Sequence, residues 1–206
     1  MSSSEDRNSA HIKKDPDADL VSAFKSGNTD AFDQLVLRYK DRIFNLCYRS
    51  LGDYQEAYDT AQDIFIRVYK NLRSFRGEAS FLTWLYTIAG NTCKNRIKSL
   101  EYRYRDKKVS LNNPYNQKGE NQESDIEDES GSPLLALEEK EKMKIIQGAI
   151  DSLPAEQKLV VILRDIEGLS YDEIINITGH RSGTVKSKLS RARLVLREKL
   201  KDIIKG

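Results

Sequence analysis

Residues 168–193 have the sequence GLSYDEIINITGHRSGTVKSKLSRAR, and this stretch determines the fold of the C-terminal part of the chain. Ser170 and Glu173 stand three residues apart, which is the spacing of a capping box, so a helix is predicted to begin directly after Ser170. Gly179 interrupts the apolar periodicity and suits the left-handed conformation that ends many helices. Ser182 is predicted to cap a second helix. The stretch therefore predicts two helices joined by a tight turn.

The second of these helices has two different faces. Apolar residues recur along one side with a period of 3.6, namely Val185, Leu189, Ala192, Leu196 and Leu200. The opposite side carries Ser187, Ser190, Arg191 and Leu194. Between residues 181 and 201, eight basic residues stand against one acidic residue, Glu198. A helix-turn-helix with one basic face is typical of DNA binding, although a helical hairpin with a solvated charged face would show the same charge pattern.

Composition narrows the class of protein. The chain has 206 residues, of which 38% are hydrophobic and 32% charged, as expected for one or two small helical domains. No apolar run approaches the ~18 residues of a membrane span, and the first residues lack the apolar core of a signal peptide, so we expect a cytoplasmic protein. Cys47 and Cys93 are predicted to be buried free thiols rather than a disulfide or zinc site. With only two histidines, we expect no metal, no cofactor and no enzymatic activity.

Charge and hydropathy divide the chain into four segments. Residues 1–16 are polar and are predicted to be a disordered tail. An N-terminal helical domain is expected over residues 17–108, and a C-terminal domain with the helix-turn-helix over residues 134–206. Before the helix-turn-helix, the sequence predicts one helix with Ile145 on its core face and another from Ala155 to Asp165. Between them, residues 109–137 contain one basic and six acidic residues, which predicts a flexible acidic linker over residues 109–133. The predicted fold class is thus all-α, with two small domains.

The third predicted helix, from about residue 54 to residue 72, carries an apolar side chain in an unexpected place. Ile66 points away from the apolar face of this helix, among Gln62, Asp63 and Arg67. A single exposed isoleucine usually has no special role. Surrounded by polar groups, it could also be the centre of a docking patch for another protein.

A loop over residues 73–79 separates the third and fourth helices and combines an aromatic ring, basic groups and a glycine. Phe75 could stack on an unpaired base, Arg76 could reach a phosphate, and Gly77 supplies backbone freedom. Alternatively, Phe75 lies in the core and the loop only connects two helices. The fourth helix then presents a polar stripe that suits contacts with DNA bases and phosphates, namely Thr87, Asn91, Lys94 and Lys98.

Six motifs occur in a fixed order in the two predicted domains. They are GNTDAF (27–32), QDIFI (62–66), SFRGEASFLTWLYTIA (74–89), LPAEQ (153–157), LRDIEGLSYDEI (163–174) and GTVKSKLSRAR (183–193). In sequence and order, these motifs resemble those of the extracytoplasmic-function sigma factors, the smallest class of bacterial sigma subunit. The resemblance covers about residues 17–105 and 134–203.

This resemblance implies a sigma factor that binds core RNA polymerase, recognises the −35 promoter element and melts the −10 element. The residues at positions that bind the clamp helices of the largest polymerase subunit are Gln62, Asp63, Ile66 and Arg67. The residues at −10 positions are Phe75, Arg76 and Gly77 of the loop and Asn91 of the fourth helix. Lys94 and Lys98, from the polar stripe of that helix, are assigned to the same DNA contact. The residues at −35 recognition positions are Lys186, Ser187, Ser190 and Arg191, and Arg193, which flanks them, is assigned to the same DNA contact. The implied partners are the polymerase core, including its flap region, promoter DNA and an anti-sigma factor, with a monomer expected when the protein is free of partners.

The chain departs from the family pattern at two places. The turn between the two C-terminal helices, residues 179–183, lacks the usual proline, and Lys188 stands where arginine is commoner. Both departures leave the −35 sequence preference open. Two other interpretations remain: a stand-alone helix-turn-helix regulator, which gives residues 62–66 and 75–81 no task, and a protein-interaction module whose basic faces are merely solvated.

Overall fold

The computed structural model describes residues 15–110 and 133–204, with side chains for residues 15–102, 141–201 and 203. The described residues form helices and turns without a β-strand, which confirms the all-α prediction. None of the described helices has the length and apolarity needed to cross a membrane. Residues 1–14 of the predicted tail and residues 111–132 of the predicted linker lie outside the described residues.

The N-terminal unit consists of four helices and a short 3₁₀ turn. Their bounds are α1 (Ala18–Lys25), α2 (Asp30–Leu51), α3 (Tyr54–Asn71), the turn Leu72–Ser74 and α4 (Phe81–Ser110). Each of the three long helices contributes fully buried side chains, namely Ile43 and Leu46 from α2, Ile64 and Val68 from α3, and Leu85, Tyr86 and Ala89 from α4. These residues recur at helical spacing on one side of their helix, so the burial of that side brings the three helices together.

Two details of this unit follow from local sequence. Gly52 ends α2 in the left-handed conformation with φ of 75°, and Asp53 then caps α3 by accepting the backbone N–H of Glu56 at 2.8 Å. Cys47 and Cys93 are buried free thiols, as predicted, with their Sγ atoms 3.7 Å apart. The hydrogen bond between the two thiols, together with burial, raises the pKa of Cys47. Both residues belong to the packed core.

The C-terminal unit contains the predicted helix-turn-helix. Its helices are α5 (Pro133–Asp151), α6 (Ala155–Val161), a π-helical extension Ile162–Ile166, α7 (Tyr171–Thr178) and α8 (Ser182–Ile204). The capping box is present, because the Ser170 hydroxyl accepts the N–H of Glu173 and the Glu173 carboxylate accepts the N–H of Ser170. Gly179 ends α7 with φ of 68°. Val185, Leu189 and Ala192 are buried, which confirms the predicted core face of α8.

Three expectations about this unit need correction. Ser182 is the first residue of α8 and not its cap, a shift within the usual uncertainty of helix ends. Ile145, expected in the core, is 50% exposed. Gln147 is buried instead, and its side-chain amide donates to the backbone carbonyl of Arg49 in α2 at 3.3 Å. The residues after α6, Ile162–Ile166, are π-helical, where the sequence predicted a continuous α-helix to Asp165.

The two units pack directly against each other, and their buried side chains form one contiguous cluster. The contact is made mainly by α4 against α6 and α7, with α2 beside α5. Gly90 of α4 lies at this contact, where a Cβ atom would stand at the ordinary van der Waals distances of 3.4 Å from Leu159 and 3.9 Å from Ile177. The sequence did not predict how the two units are oriented.

A buried carboxylate also joins the units. Glu167, with a side chain only 7% exposed, accepts hydrogen bonds from the Tyr86 hydroxyl and from Nε of Arg42, the latter at 3.0 Å. Burial, followed by the hydrogen bond to Glu167, raises the pKa of Tyr86, which therefore remains a neutral donor. Lys158 makes a second link, since its Nζ donates to the backbone carbonyl of Ser50 at 3.2 Å.

We predict that Glu167→Ala lowers the free energy of unfolding by about 1–3 kcal/mol, because Tyr86 and Arg42 would each lose a charge-assisted hydrogen bond. Urea denaturation followed by circular dichroism measures this difference. Glu198→Ala, which removes an exposed carboxylate from α8, is the matched control and should change the stability by no more than about 0.5 kcal/mol. Equal stability of the two variants would contradict a structural role for Glu167.

Candidate functional site

The first candidate surface is the docking patch, defined as the four predicted residues Gln62, Asp63, Ile66 and Arg67. All four are exposed on α3, with Ile66 50% exposed and turned away from the buried side of the helix. The patch thus has an apolar centre and a polar rim, an arrangement common at protein interfaces. These four residues are exposed because the opposite face of α3 is buried and fixes the orientation of the helix.

The second candidate surface is the capture loop, defined as residues 75–79. The structure places the ring of Phe75 in the packed position that the sequence left open as an alternative. Phe75 is 9% exposed, and its ring centroid lies 5.0 Å from that of Trp84 and 6.4 Å from that of Phe81. In this conformation Phe75 forms part of the wall beneath the loop and does not project as an exposed stacking platform.

The tip of the capture loop projects into solvent. Arg76 and Glu78 are exposed, and Gly77 has a positive φ of 73° that a side chain would disfavour. A pocket of about 290 Å³ opens beside the tip. It is lined by Ser74 and most of the capture loop, by Thr83, Trp84 and Thr87 of α4, and by Asn176 of α7. An aromatic wall with polar groups around it is the chemistry that holds a base taken out of its stack.

The polar stripe of α4 continues from this pocket. Asn91, Lys94 and Lys98 are all exposed on the helix, so the structure brings the predicted −10 residues to one side of α4 and the loop before it. Asn91 and Lys94 also line a narrow cleft of about 50 Å³ between the two units. In this arrangement Lys94 faces α6 of the C-terminal unit.

The third candidate surface is the basic face of α8. Lys186, Ser187, Ser190 and Arg191 are exposed together, while the core face of the helix is buried. Arg193, predicted with them, is turned toward Asp165, to which its Nε and Nη2 donate at 3.0 and 2.5 Å. These hydrogen bonds raise the pKa of Arg193. Four of the five predicted −35 residues therefore form the outward face, and Arg193 borders it.

Sequence reasoning missed Glu156, which connects two of these surfaces. Its carboxylate accepts hydrogen bonds from Lys188 of α8 at 2.6 Å and from Lys94 of α4 at 3.4 Å, and Nε2 of His180 lies 3.9 Å away. The hydrogen bond from Lys188, and then the positive charges of Lys188 and Lys94, lower the pKa of Glu156. No sequence pattern links these residues. Lys188 meets Glu156 when α6 and α8 pack within the C-terminal unit, and Lys94 joins them only when the two units pack.

The side chains that the structure describes include no group of three or more His, Cys, Asp or Glu residues placed to hold a metal ion. The candidate surfaces instead combine basic, amide and hydroxyl groups with exposed apolar side chains. Such groups bind by hydrogen bonds, charge and burial. Surfaces of this composition are typical of proteins that bind nucleic acid or another protein.

Comparison with known proteins matches both halves of the chain. The family model described as Sigma-70 region 2 matches residues 35–102, and that described as Sigma-70, region 4 matches residues 143–196. The RNA polymerase sigma-H factor of Pseudomonas aeruginosa is 36% identical over 94% of this chain and 98% of its own length. The ECF RNA polymerase sigma factor SigW of Bacillus subtilis is 39% identical over 89% and 96%. The ECF RNA polymerase sigma-E factor of Escherichia coli K12 is 36% identical over 90% and 95%.

Two solved structures share the fold. The sigma factor RpoE from Bartonella quintana, in complex with the anti-sigma factor NepR, has a TM-score of 0.61 and 24% identity over 82% of this chain and 96% of its own. CnrH, in complex with the cytosolic domain of CnrY, has a TM-score of 0.63 and 23% identity over 90% and 97%. At this level of identity the likeness concerns the fold alone.

We predict that Phe75→Ala lowers the free energy of unfolding by about 3 kcal/mol, as truncation of a buried aromatic ring usually does. Arg76→Ala, at the neighbouring exposed position, is the control and should change it by about 0.5 kcal/mol or less. Thermal and urea unfolding of the two variants measure the difference. Unchanged stability of Phe75→Ala would mean that the ring contributes little to the core.

Proposed function

This chain belongs to the extracytoplasmic-function family of RNA polymerase sigma factors and directs promoter-specific transcription initiation with RNA polymerase, and we propose that its three surfaces divide this task. The docking patch binds the polymerase core, the capture loop with the stripe of α4 melts and holds the −10 element, and the basic face of α8 binds the −35 element. The observation that carries the proposal is that the docking patch, the polar stripe of α4 and the basic face of α8 are each exposed on a helix anchored by its opposite, buried face. A stand-alone regulator would leave the first two surfaces without a task.

Docking of α3 on the clamp helices of the largest polymerase subunit is supported by the composition of the patch. Ile66 supplies apolar area that is lost from water on binding, and Asp63 and Arg67 supply charges of both signs at its rim. Full burial of an exposed isoleucine contributes about 1.5–3 kcal/mol, and Ile66, which is 50% exposed, would gain about half of this. A second polymerase contact, to the flap region, is assigned to the C-terminal unit.

Melting of the −10 element requires a site that compensates for the lost stacking of a base, which costs a few kcal/mol. The pocket beside the capture loop offers Phe75 and Trp84 as an apolar wall, with the exposed Arg76 at its edge. Lys94 and Lys98 on the following helix are placed to contact backbone phosphates, and Asn91 to contact a base edge. The buried ring of Phe75 thus acts by supporting the pocket, and capture depends on the pocket as a whole.

Recognition of the −35 element is assigned to α8 lying in the major groove of duplex DNA. Burial of Val185, Leu189 and Ala192 fixes the rotation of this helix, so that Arg191 and Ser187 face outward. An arginine in this position can donate two hydrogen bonds to a guanine. Lys186 and Arg193 are placed to contact phosphates, with Arg193 exchanging its bonds to Asp165 for this purpose.

The proposal divides the chain into a tail (1–16), an N-terminal domain (17–108), an acidic linker (109–133) and a C-terminal domain (134–206).

Two modest DNA sites tethered through one polymerase act at high effective concentration, so neither needs strong affinity alone. Promoter binding exchanges the contacts of Glu156 with Lys94 and Lys188 for contacts with phosphates. We further propose that the free protein is a cytoplasmic monomer. We also propose that it binds an anti-sigma factor, as RpoE from B. quintana does with NepR.

We predict that Asp63→Arg or Ile66→Asp reduces affinity for core polymerase at least tenfold, because either change places an unmatched charge in the docking patch. Affinity is measured by fluorescence anisotropy of the labelled chain with core enzyme. Asp33→Arg on α2 makes the same charge change outside the patch and should bind as the wild type does. Melting temperatures within two or three degrees of wild type, about 0.5 kcal/mol, show that the patch variants remain folded. Unchanged affinity of both would contradict the assignment of α3.

We predict that Arg191→Ala reduces discrimination for the cognate −35 sequence by about 1–3 kcal/mol, the usual contribution of a bidentate arginine–guanine pair. Cognate promoters are first identified by run-off transcription of a genomic library with core polymerase and the wild-type chain. The ratio of run-off product from the cognate promoter to that from one with a scrambled −35 element then measures discrimination. Arg197→Ala, farther along α8, is the control. A wild-type chain that uses both promoters equally would exclude −35 recognition by α8.

A further inference from the structure

We propose that the segment containing α1 shapes the capture loop from both ends, and that Lys25 is a positioning residue for recognition of the captured base. The inference rests on the function proposed above, since it concerns the same loop. The observation that supports the inference is that this one segment contacts both ends of the loop. Lys25, at the end of α1, contacts Phe75 where the loop begins, and Asp15, just before α1, contacts Phe81 where the loop joins α4.

The contact of Lys25 fixes the peptide plane at the start of the loop. Its ammonium group donates a hydrogen bond to the carbonyl oxygen of Phe75 and lies 5.6 Å from the centroid of the Phe75 ring. A trans peptide is planar, with its C=O and N–H on opposite sides. Holding the Phe75 carbonyl toward Lys25 therefore turns the N–H of Arg76 to the other side. The exposed tip of the loop follows directly after this fixed peptide plane.

The contact of Asp15 fixes the other end. Its Oδ2 accepts the backbone N–H of Phe81, the first residue of α4, at 2.7 Å, while its Oδ1 accepts the N–H of Asp17 at 3.1 Å. The first N–H groups of a helix have no carbonyl partner within the helix, and the Asp15 carboxylate accepts a hydrogen bond from one of them. Ser80 supplies another, because its Oγ accepts the N–H of Thr83 at 3.2 Å.

The segment that presents these two groups is itself well anchored. The ring of Phe24 packs against Phe32 and Tyr69, with centroids 5.6 and 5.3 Å apart. Asp17 is fully buried and accepts a hydrogen bond from the Tyr39 hydroxyl. A contact made from such an element restrains the loop, and a site held in one geometry distinguishes ligands better than one that rearranges.

A direct contact between Lys25 and DNA is the competing explanation, since Lys25 is exposed. The two roles predict different results. Loss of a phosphate contact weakens binding of every sequence alike. It also makes the slope of log affinity against log salt concentration smaller by about 0.7 for a single strand. Loss of a positioning contact weakens binding of the preferred base alone, and leaves the affinity for a disfavoured base and the salt dependence unchanged.

The test uses the full chain bound to core polymerase. Single-stranded oligonucleotides randomised across the −10 region are selected with the wild-type complex, which identifies the position of strongest base preference. Affinities for the four bases at that position are then measured with three lysine variants. Lys25→Met removes the donor, Lys25→Arg retains both donor and charge, and Lys40→Met removes an exposed lysine of α2 as the control. Asp15→Ala tests the other end of the loop independently.

We expect Lys25→Met to reduce the ratio of preferred to disfavoured affinity about five- to tenfold, the effect of one lost hydrogen bond. Lys25→Arg and Lys40→Met should stay within about twofold of the wild type, and Asp15→Ala should resemble Lys25→Met. An unchanged ratio in both Lys25→Met and Asp15→Ala would overturn the inference, as would a uniform loss of affinity with a lower salt slope. A wild-type complex without base preference would instead overturn the proposed capture function. Melting temperatures of all variants exclude unfolding as the cause.

Discussion

The packing of α4 against both units is the constraint on which the rest of the structure depends. Leu85 and Ala89 complete the N-terminal core from one side, while Gly90 faces Leu159 and Ile177 of the C-terminal unit. A helix packed on two sides cannot rotate or slide without opening cavities, and cavities in a core are destabilising. The capture loop at the start of α4 and the polar stripe along it are therefore held in fixed positions relative to both units.

The two carboxylates that join the units have different energetic roles. Glu167 is nearly buried and satisfied by Arg42 and Tyr86, so breaking this group apart would leave polar atoms without partners away from water. Glu156 is 43% exposed, and exposed ion pairs contribute only about 0–1 kcal/mol each. On the proposed division of surfaces, Lys94 and Lys188 can therefore exchange Glu156 for phosphate at little energetic cost. The apolar contact between the units and Glu167 oppose separation more strongly.

Phe75 illustrates where a sequence motif stops being informative. The motif around it predicted a loop with an aromatic residue, and the loop is where it was expected. Whether the ring faces solvent or the core depends on Trp84 and Phe81, whose positions are set by the packing of α4. Ile145 and Gln147 show the same effect in α5, since α2 offers the carbonyl of Arg49 to an inward-facing amide and leaves the isoleucine exposed.

The sequence by itself determined the features that arise within one helix or turn. Caps such as Ser170 with Glu173, the left-handed Gly179 and the period of the apolar residues involve neighbours within four positions, so they specify helix ends and core faces without knowledge of the fold. Only the tertiary structure decided which helices meet and which polar groups pair across them. Arg42 and Glu167 are 125 residues apart and Lys25 and Phe75 are 50 apart. Such contacts follow from the packing of whole helices, and one local pattern of residues is compatible with many packings.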